Sequence, residues 1–66
     1  MKPIQVNSEQ VNSHAVNLAE LLQELGYADA TLATAVNGMF VATHNRHQRL
    51  ISAGDQIEIL APMQGG

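Results

Sequence analysis

The sequence contains no cysteine and no tryptophan, and its only phenylalanine and tyrosine are Phe40 and Tyr27. The absence of cysteine excludes disulfide bonds, thiolate nucleophiles and cysteine-ligated zinc sites. A chain of 66 residues without such staples must rely on a small hydrophobic core. Its hydrophobic content of 45% is sufficient for one such core, so we expect a single small domain.

Basic residues are also scarce. Three lysines and arginines against six aspartates and glutamates give a net charge of −3, which argues against a nucleic-acid partner and suits a partner with a basic surface. No hydrophobic run approaches the roughly 18 residues that a membrane span needs. The N-terminus also does not have the pattern of a signal peptide. We therefore expect a cytoplasmic protein that is monomeric when free and has no membrane partner.

The hydrophobic pattern predicts one helix, over residues 17–25. Four leucines recur at helical spacing and form one apolar stripe: Leu18, Leu21, Leu22 and Leu25. Asn17 is a favourable N-cap, and Glu20 three residues later completes a capping box. Gly26 can adopt the left-handed conformation that ends a helix.

Alternating apolar and polar residues predict strands on both sides of this helix. The N-terminal segment indicates two short strands joined by a tight turn at Asn7 and Ser8. Near the other end, Ile57 and Ile59 alternate with polar residues and predict a last strand. The polar segment between residues 43 and 51 predicts a loop with a helical turn.

A second hairpin is predicted in the middle of the chain. Asn37 and Gly38 stand between apolar runs, and a type I′ turn needs positive φ at both central residues. The adjoining strands are expected near residues 33–36 and 39–42. The element order is therefore β-β-α-β-β-β.

This order predicts an α+β fold. The apolar face of the helix must lie on one face of the sheet, because a single amphipathic helix cannot bury itself. The last strand is expected beside the first, which makes a mixed sheet of about five strands. We predict a β-grasp, or ubiquitin-like, domain over residues 1–62 and a flexible C-terminal tail over residues 63–66.

Residues with conventional catalytic or metal-binding chemistry are few. His44 and His47 would share a face in a helical turn, but their segment offers no carboxylate as a further ligand. We therefore interpret both, together with His14, as surface histidines and expect no metal. The serines stand in turn-like contexts. The acidic residues are scattered and mostly serve solubility, although Glu58 could form a charged rim toward a basic partner. No catalytic residue is expected, and the chain is not predicted to be an enzyme.

The C-terminal residues Gln64, Gly65 and Gly66 present the most distinctive chemistry. Glycines without side chains can enter a narrow channel in another protein. An α-carboxylate is ionised at neutral pH, since its pKa lies near 3.3–3.7, and it can act as a nucleophile. The Gly66 carboxylate is therefore the candidate reactive group, with Gly65 providing clearance.

Three apolar residues near this tail form a candidate docking surface: Phe40, Leu60 and Met63. Leu60 is out of register with Ile57 and Ile59, so it is expected on the opposite face of the last strand. An exposed apolar patch there would serve as a docking surface. The alternative is packing in the core or at the sheet edge.

The segments "GDQIEILAPMQGG", "AVNGMFV" and "VNLAELLQELG" together resemble the ThiS family of bacterial sulfur carriers in thiamine biosynthesis. The resemblance covers almost the whole chain. It implies that an E1-like (ThiF-like) adenylyltransferase adenylates Gly66, using ATP and magnesium that it binds itself, so this chain binds no cofactor. Sulfur from a cysteine desulfurase pathway then displaces AMP and leaves a thiocarboxylate. A ThiG-like thiazole synthase accepts that sulfur.

The sequence departs from the family pattern in two places. Ala42 and Thr43 stand where relatives often have proline and arginine, and Gln64 replaces a small or apolar residue. Three other functions remain open. The chain could carry sulfur for another pathway, as the small subunit of molybdopterin synthase or a carrier for cysteine synthesis does. It could be a ubiquitin-like modifier of lysines, or an interaction module without terminal chemistry.

Overall fold

The computed structural model describes residues 1–27 and 31–60, and its elements follow the predicted order. The described residues form five strands, one α-helix and one turn of 3₁₀-helix: β1 (Lys2–Val6), β2 (Glu9–Ser13), α1 (Leu18–Glu24), β3 (Ala33–Val36), β4 (Met39–Val41), the 3₁₀ turn (Thr43–Asn45) and β5 (Gln56–Leu60). The predicted boundary at residue 62 and the tail at 63–66 lie outside the described residues. Of the described helices, none is long and apolar enough to cross a membrane.

The strands form one mixed sheet in the order β2-β1-β5-β3-β4. The first and last strands lie side by side and run parallel, whereas every other neighbouring pair is antiparallel. A parallel pair needs a long connection, and here that connection contains the helix and the second hairpin. The predicted β-grasp architecture is therefore confirmed.

Both tight turns form where they were predicted. Asn7 and Ser8 connect β1 to β2 with φ values of 50° and 73°, and Asn37 and Gly38 connect β3 to β4 with φ values of 53° and 82°. Two successive positive φ values are the type I′ pattern, whose twist matches that of the flanking strands. Strand β4 ends at Val41, one residue earlier than expected.

Helix α1 begins and ends through its own capping residues. The Asn17 side chain accepts a hydrogen bond of 2.8 Å from the Glu20 N–H. The Glu20 carboxylate in turn accepts a hydrogen bond of 3.0 Å from the Val16 N–H. In a capping box the donor would be the N–H of the N-cap itself, Asn17, one residue later. At the other end, Gly26 has a φ of 89° and its N–H donates to the Gln23 carbonyl. These contacts explain why the local sequence predicted the helix well.

The core lies between α1 and one face of the sheet, hereafter the inner face. It is a single cluster of buried apolar side chains: Ile4, Ala15, Leu18, Leu21, Leu22, Val36, Val41, Ile51, Ile57 and Ile59. Three of the four predicted helix leucines belong to it, and Leu25 packs at its margin half-buried. The opposite, outer face of the sheet is thereby left for other interactions.

Candidate functional site

The last strand presents different residues to the two faces of the sheet. Ile57 and Ile59 are buried in the core, whereas Glu58 and Leu60 point to the outer face and are exposed. Successive side chains of a strand point to opposite faces, so this alternation follows directly from the sequence pattern. Leu60 thus lies on the face that was expected for it.

The outer face carries an exposed apolar patch at its β3-β4-β5 end. Phe40 is 73% exposed and Leu60 is 65% exposed. Phe40 lies opposite Ala35, and Leu60 lies opposite Ala33. Because the two alanines are small, the larger side chains border a shallow depression of about 90 Å³. We call Ala33, Ala35, Phe40 and Leu60 the outer-face patch. Its role in docking stays a prediction.

A carboxylate borders this patch. Glu58 is exposed on β5, the strand that also carries Leu60, and it pairs with Ala35 of β3. A partner that covers the patch would therefore meet a negative charge at its rim. Met39 is exposed to the same 73% as Phe40, but its register position lies on the opposite face of β4. Met39 is therefore not part of the outer-face patch.

The predicted reactive terminus lies beyond the described residues. Met63, Gln64, Gly65 and Gly66 fall in the segment 61–66, which directly follows Leu60. The patch and this segment are therefore contiguous in the chain. Ala42 is half-buried before the 3₁₀ turn, and Thr43 is exposed at its first position.

The beginning of β5 is anchored by Asp55, whose role the sequence analysis missed. Its carboxylate accepts hydrogen bonds from the Ser52 N–H at 2.8 Å and from the Asn37 amide at 3.0 Å. Burial raises the pKa of Asp55, but these hydrogen bonds and nearby positive charges outweigh burial and hold the pKa below its usual value. Asp55 is therefore a structural residue and not a solubilising one. The adjacent Gly54 adopts a φ of 86°, so the glycine at this position was the signal in the sequence for a tight turn.

Glu24 also has a structural role, at the end of α1. Its carboxylate accepts a hydrogen bond from the hydroxyl of the buried Ser13 and another of 3.1 Å from the His14 N–H. Both hydrogen bonds lower the pKa of Glu24, and the one from Ser13 has the larger effect. The last turn of the helix is thereby joined to the end of β2.

Arg46 is the clearest buried residue that sequence reasoning missed. It is only 8% exposed, and its guanidinium donates to the Thr34 hydroxyl at 3.1 Å and to the Leu32 carbonyl at 2.7 Å. The surrounding segment is polar and has no regular period, so it contains no local sign of burial. The side chain fastens the segment after β4 to β3.

The histidines lie on the surface. His14, His44 and His47 are all exposed. Within residues 1–27 and 31–60, no group of three or more histidine, cysteine, aspartate or glutamate side chains is placed to hold a metal ion. The candidate functional site is thus the outer-face patch together with the segment that follows it.

Comparison with known proteins agrees with this fold. The chain is similar to the crystal structure of the thiamine biosynthesis protein ThiS from Geobacter metallireducens, with 26% identity and a TM-score of 0.81 over 97% of this chain and 99% of that one. It is also similar to the solution structure of a thiamine biosynthesis protein from the same organism, with 25% identity and a TM-score of 0.80 over 97% of this chain and 87% of that one. No curated protein gives a significant sequence match.

The family comparison extends further along the chain than the described structure does. The model of the ThiS family matches residues 2–66, which include both terminal glycines. The match spans nearly the whole chain, and the fold agrees with that of the similar structures. The chain belongs to the ThiS family.

Proposed function

We propose that the chain is a sulfur carrier protein of thiamine biosynthesis and that it carries sulfur as a thiocarboxylate on Gly66. Membership in the ThiS family, together with the likeness to ThiS structures, supports a sulfur carrier role. The observation that carries the proposal is the family match through residue 66, because it includes Gly65 and Gly66 as family positions.

In this function, the Gly66 carboxylate reacts twice. An oxygen of the carboxylate first attacks the α-phosphorus of ATP, pyrophosphate leaves, and an acyl adenylate forms. A persulfide from a cysteine desulfurase pathway then attacks the acyl carbon and AMP leaves. A thiol cleaves the resulting acyl disulfide, forms a disulfide with the donor sulfur, and leaves the thiocarboxylate on Gly66. A thiazole synthase takes the sulfur from this group. ATP and magnesium are bound by the E1-like activating partner, so this chain acts as a cosubstrate.

The domain itself provides docking. Phe40 and Leu60 are exposed on the outer face, and Leu60 directly precedes the segment that contains Met63 in the chain. We propose that these three residues contact the activating partner. Apolar side chains exposed together are typical of a docking surface. Glu58 at the rim favours a partner with basic residues around its own apolar surface. Gly65 allows the terminus to enter a narrow channel, with Gln64 at its entrance.

Intact-mass measurement tests this function. The wild-type chain is incubated with the activating partner, ATP, magnesium and a sulfur donor. The expected result is a gain equal to the mass difference between sulfur and oxygen. The variant without Gly66 should show no gain, whereas Met39→Ser, which alters an exposed side chain outside the patch, should gain the same mass as the wild type.

The other outcomes separate the competing functions. Conjugates with lysine residues and no thiocarboxylate would indicate a protein modifier. The thiocarboxylate could instead be consumed by the synthase of another sulfur compound and not by a thiazole synthase. That result would support the sulfur carrier function and assign it to a different pathway. A wild-type chain of unchanged mass would contradict the proposal.

A further inference from the structure

Strand β5 extends beyond its pairing with β1. Among the described residues, the parallel ladder between these strands stops at the pair Val6↔Ile57. On its other edge, β5 pairs with β3 as far as Ala33↔Leu60. The last residues of β5 therefore have a strand neighbour on one edge but have passed the end of β1 on the other.

The side chain of Asn7 takes the place of the missing strand at this point. Its Oδ1 accepts a hydrogen bond of 2.9 Å from the Ile59 N–H, and its Nδ2 donates to the Ile59 carbonyl at 3.1 Å. The backbone N–H of Asn7 also donates to the Ile57 carbonyl at 2.9 Å. One amide group thus makes both hydrogen bonds that two residues of a parallel neighbouring strand would otherwise make with Ile59.

The backbone conformation of Asn7 makes this arrangement possible. Its φ of 50° turns the chain away from β5 and into β2, and asparagine is among the few non-glycine residues that adopt this region readily. Glycine would also allow the turn, but it has no side chain with which to reach Ile59. Asparagine therefore satisfies two requirements at one position.

The contact lies at the junction between the core and the candidate site. Ile59 is buried in the core, and the next residue, Leu60, belongs to the outer-face patch and precedes the segment that contains Gly66. Strand ends fray where their hydrogen bonds are exposed to water. Without the Asn7 amide, the polar groups of Ile59 would be open on that edge, and the end of β5 would be held by the pairing with β3 alone.

We infer that Asn7 is a positioning residue for the carrier reaction: its side-chain amide holds Ile59 and Leu60 in the geometry from which Gly66 reaches the activating partner. The inference rests on the proposed function. Asn7 touches neither ATP nor the reacting carboxylate in this role. It acts by holding the end of β5 at Ile59, the residue before Leu60, since small misplacements of a reacting group slow a reaction strongly.

The chain offers a matched control at the other end of the same strand. Asn37 also has a positive φ, of 53°, and its Oδ1 accepts from the Gln56 N–H at 2.9 Å. Its backbone N–H donates to the Gln56 carbonyl at 2.7 Å. The Asn37 Nδ2 donates to the Asp55 carboxylate at 3.0 Å. Asn37 thus also supports β5 through its side-chain amide, but at the end remote from Leu60.

The experiment compares Asn7→Gly with Asn37→Gly. Both variants keep a residue that accepts positive φ and remove one amide. We measure kcat and KM for adenylation by the activating partner, through pyrophosphate exchange, and the hydrogen-exchange rates of the Ile59 and Leu60 amides. Asn7→Gly should lower kcat about tenfold and accelerate exchange at Ile59 about tenfold or more, with KM changed less. Asn37→Gly should keep kcat within about twofold of the wild type, even at an equal loss of Tm.

A second substitution covers the case in which Asn7→Gly does not fold. Asn7→Asp retains the acceptor for the Ile59 N–H and replaces the donor by an oxygen that faces the Ile59 carbonyl, so its kcat should lie between those of the wild type and Asn7→Gly. A wild-type kcat in either folded Asn7 variant, or a loss of kcat in Asn37→Gly as large as in Asn7→Gly, would overturn this inference and leave the proposed function standing. A wild-type chain that is not adenylated would overturn the proposed function and this inference with it.

Discussion

Replacing Phe40 by serine should weaken binding of the activating partner strongly while changing the stability of the domain little. The side chain is 73% exposed on the outer face, so the core does not depend on it. Exposed substitutions usually change stability by about 0.5 kcal/mol or less, and the lower strand propensity of serine adds a few tenths. We therefore expect the free energy of unfolding to fall by less than about 1 kcal/mol.

The loss of binding follows from the area that a partner would cover. A phenylalanine buries about 150–250 Å² when it is fully enclosed. With 73% of Phe40 exposed, docking can remove on the order of 110–180 Å² from water. At roughly 25 cal/mol per Å², this area corresponds to about 3–5 kcal/mol. Only part of this free energy appears in the binding free energy. We therefore expect Phe40→Ser to weaken binding by about 2–3 kcal/mol, which raises Kd about 30- to 150-fold.

Calorimetric titration against the activating partner measures this Kd, and thermal unfolding measures the stability of the same samples. Met39→Ser is the matched control, because Met39 is equally exposed on the same hairpin but lies on the other face of β4. It should bind like the wild type. Unchanged binding by Phe40→Ser would refute the docking role of the outer-face patch. An equal loss in Met39→Ser would show that the effect is not specific to that face.

Two further predictions concern side-chain hydrogen bonds that join different elements of the fold. Arg46→Met should lower the free energy of unfolding by about 2–3 kcal/mol in urea titrations, because it leaves the Leu32 carbonyl without its donor; Arg49→Met, at a half-buried site, should cost less than about 1 kcal/mol. A similar cost for both would contradict the role of Arg46. The pKa of Glu24 is lowered from 4.5 by its hydrogen bonds, so its contribution to stability is complete above that pH and is lost as the pH falls through the lower folded value. Ser13→Ala should flatten this acid dependence, and an unaltered pH profile would count against the contact.

Short-range signals in the sequence predicted most of the secondary structure. The helix is encoded by Asn17 and Glu20 at its start and by Gly26 at its end, and these residues contact each other or their near neighbours in the structure. The turn at Asn37 and Gly38 requires only the backbone preferences of two adjacent residues. Such features can be read locally because their energies depend on residues a few positions apart.

The side-chain hydrogen bonds between distant residues could not be read in this way. The Asn7 amide bonds with Ile59, 52 residues later, and Arg46 reaches Leu32 across 14 positions. Neither contact has a local periodicity, and each depends on how the sheet orders its strands. The structural roles of Asp55 and Glu24 escaped sequence analysis for the same reason, since a scattered acidic residue has the same local pattern whether it is solvated or hydrogen-bonded.

The hydrophobic pattern, the caps and the turn residues were thus enough to predict the β-grasp fold. The carrier chemistry at the terminal glycines stays a prediction. The placement of Phe40 and Leu60 on one face, on either side of Ala33 and Ala35, was a property of the tertiary structure, because it requires β3 to lie between β4 and β5. The support of Ile59 by Asn7 likewise requires β1 and β5 to run side by side. Strand order brings distant residues together, and a one-dimensional pattern does not contain those distances.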